Sequence, residues 1–212
     1  GINAEYGDKM DINKKISNGT TTIAFKYKDG IIVCADSRTS SDTRIANRVQ
    51  RKIIQINEHI VVAVSGSAAD TRFLCRAVRE QLLSHEIQLN RPCLVKTAAN
   101  LFAKYNYQYK SILLAGLLVC GYDEFGYHAF KVIPGGSFME GDSVMSGSGS
   151  TYVYGTMDAD YNSQMTEQQA LDFGRKLITQ AAYRDGSSGG VFRWVFVKNE
   201  KVIGEEDNWE KL

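Results

Sequence analysis

The sequence predicts an α+β fold built as a four-layer αββα sandwich, with two antiparallel sheets stacked face to face between layers of helix. Three observations carry that expectation. Strand-like runs come in blocks separated by blocks of helical period, not in strict strand-helix-strand alternation, which favours antiparallel pairing over a doubly wound parallel sheet. Short turn signals join the strands within a block, as hairpins require. Stacking the sheets between helix layers then uses every apolar face. A chain of 212 residues can bury a proper core as one large domain without disulfides.

Residues 1–19 have no helical or strand period that would bury a face and read as a leader, which leaves 20–212 as a single domain. Residues 21–27 and 31–36 are strand-like and joined by Lys28-Asp29-Gly30, with Asp-Gly at the turn. A second pair, 52–56 and 60–65, turns at Asn57-Glu58-His59. Residues 68–89 repeat Phe73, Leu74, Ala77, Val78 and Leu82 at helical spacing, after Ser67 with Asp70 three residues on. A helix over 92–109 carries a stripe of Val95, Ala98, Ala99, Phe102 and Tyr105, with Pro92 in the first turn, where its missing N–H costs least. Strands return at 113–122, 126–133, 137–140 and 143–146. A third helix, 166–183, starts at Thr166 as N-cap with Glu167 in its first turn. A last hairpin, 191–197 with 202–205, turns at Asn199-Glu200.

Twenty-five basic against 24 acidic residues leave a formal charge of +1, too weak a field for nucleic-acid or membrane-surface binding. The leader's Glu5, Asp8 and Asp11 balance Lys9, Lys14 and Lys15, so its removal leaves that charge unchanged. The longest apolar stretch, 112–120, falls far short of the roughly 20 residues of a membrane span. Cys34, Cys75, Cys93 and Cys120 are scattered without C-x-x-C spacing; buried reduced thiols of an intracellular protein are the favoured reading over zinc ligation.

Two motifs are decoys. Gly186-Ser187-Ser188-Gly189-Gly190 matches the G-x-S-x-G nucleophile elbow, but that motif needs a strand before it and a helix after it, and here the order is reversed. No histidine follows the serine either, since His59, His85 and His128 all lie upstream. Gly147-Ser148-Gly149 reads as a tight bend, with no Lys-Ser/Thr pair behind it to make a phosphate loop. The histidines are too dispersed for a metal site, and no metal or cofactor is expected.

A different chemistry needs no histidine. In Asn18-Gly19-Thr20-Thr21-Thr22-Ile23-Ala24, a threonine freed at its own N-terminus could use its α-amine, with a pKa of about 7.7–8.0, as the general base. A threonine-rich first strand would read the same from β-propensity alone. Such a site wants a cation to hold the amine neutral and a carboxylate to orient that cation. Asp36 and Lys52, each at a strand end, are candidates, and an ordinary solvated pair explains them equally well.

From Gly19 to about Val197 the sequence resembles the catalytic β subunits of the 20S proteasome, in the N-terminal nucleophile hydrolase superfamily. The motifs are Gly19-Thr20-Thr21-Thr22-Ile23-Ala24, Ala35-Asp36-Ser37-Arg38, Arg51-Lys52, Ser65-Gly66-Ser67, Gly147-Ser148-Gly149 and Arg184-Asp185-Gly186-Ser187-Ser188-Gly189-Gly190. Taking Thr20 as the nucleophile places Asp36, Lys52, Ser148, Asp185 and Ser188 together on the family's functional positions, whereas Thr21 or Thr22 puts all five out of step. The resemblance implies the N-terminal nucleophile hydrolase fold and a threonine endopeptidase acting on unfolded polypeptides. Thr20 would be nucleophile and, through its amine, base; Lys52 would keep the proton balance, held by Asp36. The Gly66 N–H would serve the oxyanion, with Ser148, Asp185 and Ser188 around the amine. It further implies a latent precursor cleaved between Gly19 and Thr20. The implied partners are other β subunits in a seven-membered ring, the α-subunit rings and an opposing β ring, in cytoplasm and nucleus.

Residues 65–71, 45–49 and 187–190 look most like the caspase-like class. Many such subunits carry an arginine where this sequence has Val64. Here Arg72 could supply the charge, with Thr39, Gln50, Ile54 and Ala68 completing the pocket wall, so cleavage after acidic or branched apolar residues is expected. Two rivals remain. A noncatalytic ring subunit would usually lack the threonine, the lysine or the Gly–Thr junction, and the Ser-Gly-Ser-Ala-Ala-Asp and Asp-Gly-Ser-Ser-Gly-Gly runs argue against a small-substrate amidohydrolase.

Overall fold

A computed structural model describes residues 19–41, 44–47, 51–66, 68–110, 116–204 and 209–212. Of the expected leader, 1–19, all but Gly19 lies outside the described residues. Thirteen strands and four α-helices follow in chain order among the described residues. They run β1 (Thr22–Tyr27), β2 (Gly30–Ala35), β3 (Thr39–Ser41), β4 (Arg44–Asn47), β5 (Ile53–Gln55), β6 (Ile60–Ser65), α1 (Ala68–Leu89), α2 (Val95–Gln108), β7 (Gly116–Asp123), β8 (Gly126–Val132), β9 (Phe138–Glu140), β10 (Ser143–Ser146), α3 (Tyr154–Asp160), α4 (Glu167–Arg184), β11 (Val191–Lys198), β12 (Lys201–Ile203) and β13 (Trp209–Lys211). A 3-10 helix, Ser148–Tyr152, precedes α3.

The first sheet has the order β10-β1-β2-β11-β12, with β13 also on β11; the second runs β5-β6-β7-β8-β9. Every pairing is antiparallel. The alternation of side chains along each strand sets the layers. Ile23 and Phe25 of β1 and Ile32 and Cys34 of β2 face α4, whereas Ala24, Ile31 and Val33 face Val61, Ala63, Leu118 and Cys120 of the second sheet. Ile60, Val62, Val64, Leu117 and Val119 meet α1 and α2 on the far side. This is the expected αββα sandwich. Strands buried on both faces explain the near-continuous apolar runs.

Hairpins form where the turn signals stand. Lys28 and Asp29 link β1 to β2, and Asn199 and Glu200 link β11 to β12 with φ of 51° and 64°, the left-handed pair a tight hairpin turn needs. The Asn57 side chain accepts from the backbone N–H of His59 and of Ile60 at 2.9 and 2.8 Å, which closes the β5–β6 turn. Thr166 caps α4 as expected, with Gln169 completing a reciprocal capping box.

One boundary is corrected. The second helix starts at Val95 and not in the turn of Pro92, because the Asp123 carboxylate at the end of β7 accepts the Val95 N–H at 2.9 Å and fixes the first turn there. The β3–β4 hairpin, the 3-10 helix, α3 and β13 are elements the sequence reading did not contain. Among the described residues no helix is long and apolar enough to cross a membrane.

Candidate active site

The end of β2, the start of β5, the end of β6, the β10 exit and the α4–β11 connection converge on the start of β1. Asp36 follows β2 directly and is fully buried, and Lys52, just before β5, is 2% exposed. The Lys52 ammonium donates to Asp36 Oδ1 at 2.8 Å. The same oxygen accepts the Thr21 N–H at 2.9 Å, while Oδ2 accepts the N–H of Gly189 at 2.9 Å and of Arg38 at 3.3 Å. Asp36 thus ties the threonine strand, the lysine and the 185–189 loop together. The solvated-pair reading of Asp36 and Lys52 does not hold, since both are buried.

Burial pushes the Lys52 ammonium below its ordinary value, and the nearby Asp36 and then Asp185 pull it back up. Lys52 also reaches the Gly19 carbonyl at 3.4 Å, so its buried ammonium faces the peptide bond that joins Gly19 to Thr20.

On the other side of Thr20 lies a network of hydroxyls whose direction is fixed by proton counting. Ser148 and Ser188 each donate their single hydroxyl hydrogen to Asp185 Oδ2, at 2.7 and 2.8 Å. Ser188 Oγ therefore accepts from Thr21 Oγ1 at 2.8 Å, and Ser148 Oγ accepts the Thr20 backbone N–H at 3.4 Å. Every hydrogen points toward Asp185. An amine at the Thr20 position would spend one N–H on Ser148 and keep its lone pair free for a proton.

Close backbone approach explains two glycines of the Gly147-Ser148-Gly149 bend. Gly147 sits at φ 92° against the Thr20 carbonyl, and a side chain on Gly149 would run into the Thr21 hydroxyl and come within 2.8 Å of Ser188 Oγ. The bend opens the 3-10 helix, as a turn and not a phosphate loop. The Gly186–Gly190 run lies between α4 and β11, helix first and strand after, the reverse of a nucleophile elbow. His59, before β6, bonds Glu200 at the opposite end of that strand from Gly66, and His128 lies between Asp123 and Glu140. The four cysteines are free and buried, and burial raises each thiol, to about 11 for Cys75 and about 12 for Cys93 and Cys120. Among the described residues no group of His, Cys, Asp and Glu could hold a metal ion.

The structure brings Gly19, Thr20, Asp36, Lys52, Ser148, Asp185 and Ser188 together, with Gly66 at φ 139° just past β6. The proposed pocket residues are less uniform. Val64 is buried in the core under α1 and α2, with Ile54 packed against it. Thr39 opens β3 and Ala68 opens α1. Arg72 is exposed on α1, and Gln50 lies outside the described residues. A cavity of about 240 Å³ between the edges of the two sheets, lined by Arg79, Trp194 and Val195 among others, shares only Ile54 with that set. Two site residues went unassigned in the sequence. Thr21 donates into the Asp185 network, and Arg38 donates to the Gly186 carbonyl at 3.1 Å and so braces the loop that carries Asp185 and Ser188. Their sequence signal is membership in the Gly19–Ala24 and Ala35–Arg38 motifs, which gives neither a role.

Comparison with known proteins places this cluster in a family. The model of proteasome subunits matches residues 16–197. The chain belongs to the proteasome subunit family. Its relatives are beta-type proteasome subunits. The probable proteasome subunit beta type-1 of Schizosaccharomyces pombe is 40% identical over 90% of this chain and 87% of its own length. Proteasome subunit beta type-6 of Arabidopsis thaliana is 39% identical over 91% and 84%. Proteasome subunit beta type-1 of Saccharomyces cerevisiae is 37% identical over 97% and 99%. Proteasome beta subunits assemble with other subunits into the 20S core, and they are generally threonine peptidases although some are inactive.

Proposed function

We propose that this proteasome subunit is one of the catalytic ones, a threonine endopeptidase of the caspase-like class held latent while Gly19 remains bonded to Thr20. The observation that carries the reading is the buried Asp36–Lys52 pair directed at the Gly19–Thr20 junction, opposite the Ser148–Asp185–Ser188 network. A purely structural ring subunit has no use for a buried ammonium at that bond, because burying it costs stability that its partner only partly returns.

In the precursor the Thr20 nitrogen is an amide whose lone pair is delocalised, so it cannot accept a proton. Attack of Thr20 Oγ on the Gly19 carbonyl, with the hydroxyl proton passing to a water, would develop negative charge on the oxygen that Lys52 faces. The C–N bond then breaks as that water returns the proton to the departing nitrogen, and a second water hydrolyses the resulting ester to release the leader and a free Thr20 amine. On a substrate the same hydroxyl attacks the peptide carbonyl, its proton passing to the Thr20 amine, directly or through water. The Gly66 N–H meets the oxyanion. The amine returns the proton to the leaving amine, and water hydrolyses the acyl-enzyme. The apolar Val64 and Ile54, with Arg72 one turn into α1 from Ala68, favour acidic or branched apolar side chains before the scissile bond.

The test is covalent labelling of active particles with a peptide electrophile followed by mass spectrometry. The expected adduct sits on Thr20 with residues 1–19 removed. A label elsewhere, or Asn18 still attached in active particles, overturns the reading. Equal turnover of Asp and Leu substrates by parent and Arg72→Ala removes Arg72 from the pocket.

A further inference from the structure

We propose that Ser65 and Ser146 form a clasp between the two sheets that sets the oxyanion donor against the nucleophile, making both positioning residues. The inference rests on the threonine-nucleophile reading above. Ser65 is the last residue of β6 and immediately precedes Gly66; Ser146 is the last residue of β10 and immediately precedes Gly147-Ser148. They belong to different sheets. Their hydroxyls meet at 3.0 Å, in a site where both residues are buried.

Proton counting again gives the direction. Ser65 donates its one hydroxyl hydrogen to the Gly116 carbonyl at 2.9 Å, so Ser146 donates to Ser65. The Ser146 carbonyl in turn accepts from Thr22 Oγ1 at 3.3 Å, which joins the chain to the threonine strand two residues after Thr20. Space for the crossing exists because position 116 has no side chain. A Cβ there would stand 2.5 Å from Ser146 Oγ and 2.7 Å from Ser65 Oγ.

In the middle of the interface the sheets face each other through Ala24, Val33, Ala63, Leu118 and other apolar side chains. At the end away from the site the β11–β12 hairpin bonds the second sheet, through the Val202 N–H to the Glu58 carbonyl at 2.8 Å and Tyr122 to Glu200 at 3.1 Å. The apolar contact is non-directional and sets no donor against an acceptor. A hydrogen bond is directional. The Ser65–Ser146 bond falls one residue before each of the two glycines, Gly66 and Gly147, at which the chain turns with positive φ into the site. Sliding of the sheets would move the Gly66 N–H relative to Ser148 and Thr20 together, and a misplacement of about 1 Å can cost on the order of 100-fold in rate.

The experiment compares parent, Ser65→Ala, Ser146→Ala and the double variant in the assembled particle, reading kcat, KM and the rate of Thr20 labelling by a peptide electrophile. The expected result is a fall in kcat and labelling rate of roughly tenfold or more for Ser146→Ala with KM nearly unchanged, and a double variant no worse than Ser65→Ala alone. Should either alanine variant fail to assemble, Ser146→Cys, a weaker donor of similar shape, is expected to give the same split at smaller size. Parent-like labelling by Ser146→Ala or Ser146→Cys, or losses that multiply in the double variant, overturns the clasp. Failure of the parent itself to label at Thr20 overturns the threonine-nucleophile reading on which the clasp depends.

Discussion

Removing either partner of the Asp36–Lys52 pair should be unequally costly, and the asymmetry follows from counting donors. Asp36 receives three backbone N–H groups besides Lys52, from Thr21, Gly189 and Arg38. Lys52→Met therefore leaves a carboxylate that is still well supplied, and the loss is that of one charge-assisted hydrogen bond, about 1.5–3 kcal/mol, partly offset by no longer burying an ammonium. Asp36→Asn leaves the buried Lys52 without its adjoining carboxylate, facing at best a neutral amide oxygen and the more distant Gly19 carbonyl. Whichever way the amide turns, its NH2 also faces two donors. Breaking a buried pair in this way costs about 3–5 kcal/mol. At roughly 2–4 °C per kcal/mol for a chain of this size, Asp36→Asn should melt some 4–8 °C below Lys52→Met. The sign of the pH dependence is also fixed. Burial lowers the Lys52 ammonium below 10.5, so between the lowered value and 10.5 the folded chain binds fewer protons than the unfolded one and its stability rises with pH. Taking away Asp36 removes the largest upward influence on Lys52 and extends that window downward. The Asp36→Asn deficit should accordingly shrink as pH is raised. Thermal unfolding of the full chain followed by tryptophan signal at several pH values measures both effects. A Lys52→Met variant that melts at or below Asp36→Asn, or a deficit independent of pH, would refute the reasoning.

Three further outcomes are expected. Thr20→Ala should assemble yet keep its leader, seen as an unprocessed mass in purified particles. Gly149→Ala should lose about 1–3 kcal/mol of stability by driving a methyl into Thr21 and Ser188, together with most peptidase activity; parent-like melting and turnover would mean that the bend can relax away from them. Asp123→Ala should destabilise the chain by about 1–2 kcal/mol, because it uncaps α2, while leaving the KM for a peptide substrate unchanged; a denaturant midpoint equal to the parent's would show that water replaces the cap.

The sandwich was legible because β1, β2, β6 and β7 are apolar at successive positions, which only stacking with cover on both faces satisfies. The start of α2 was not, because its cap comes from Asp123, 28 residues further along the chain. The β3–β4 strands, Thr39–Ser41 and Arg44–Asn47, carry no apolar alternation. In α3 only Met157 is buried, too little for a periodic signal. For the site, strand ends marked Asp36 and Lys52 as candidates, but their burial was beyond the reach of spacing, and the choice of Thr20 over its neighbours came from the register of the resemblance. Thr21 was passed over because a hydroxyl in a threonine run differs from its neighbours only by what folds against it.

The same cluster is already assembled while the Gly19–Thr20 bond is intact, with Lys52 on Asp36, Ser148 and Ser188 on Asp185, and Thr21 bonded to both groups. On the proposed reading, latency therefore resides in a single nitrogen and not in a rearrangement of these side chains. Activation involves no search through conformations, so no slow structural phase should separate loss of the leader from the first turnover. It also has no reverse path. Hydrolysis of one peptide bond runs downhill in water, and a subunit switched on in this way cannot be switched off by relaxing back, only by occupation of its site or by removal of the particle.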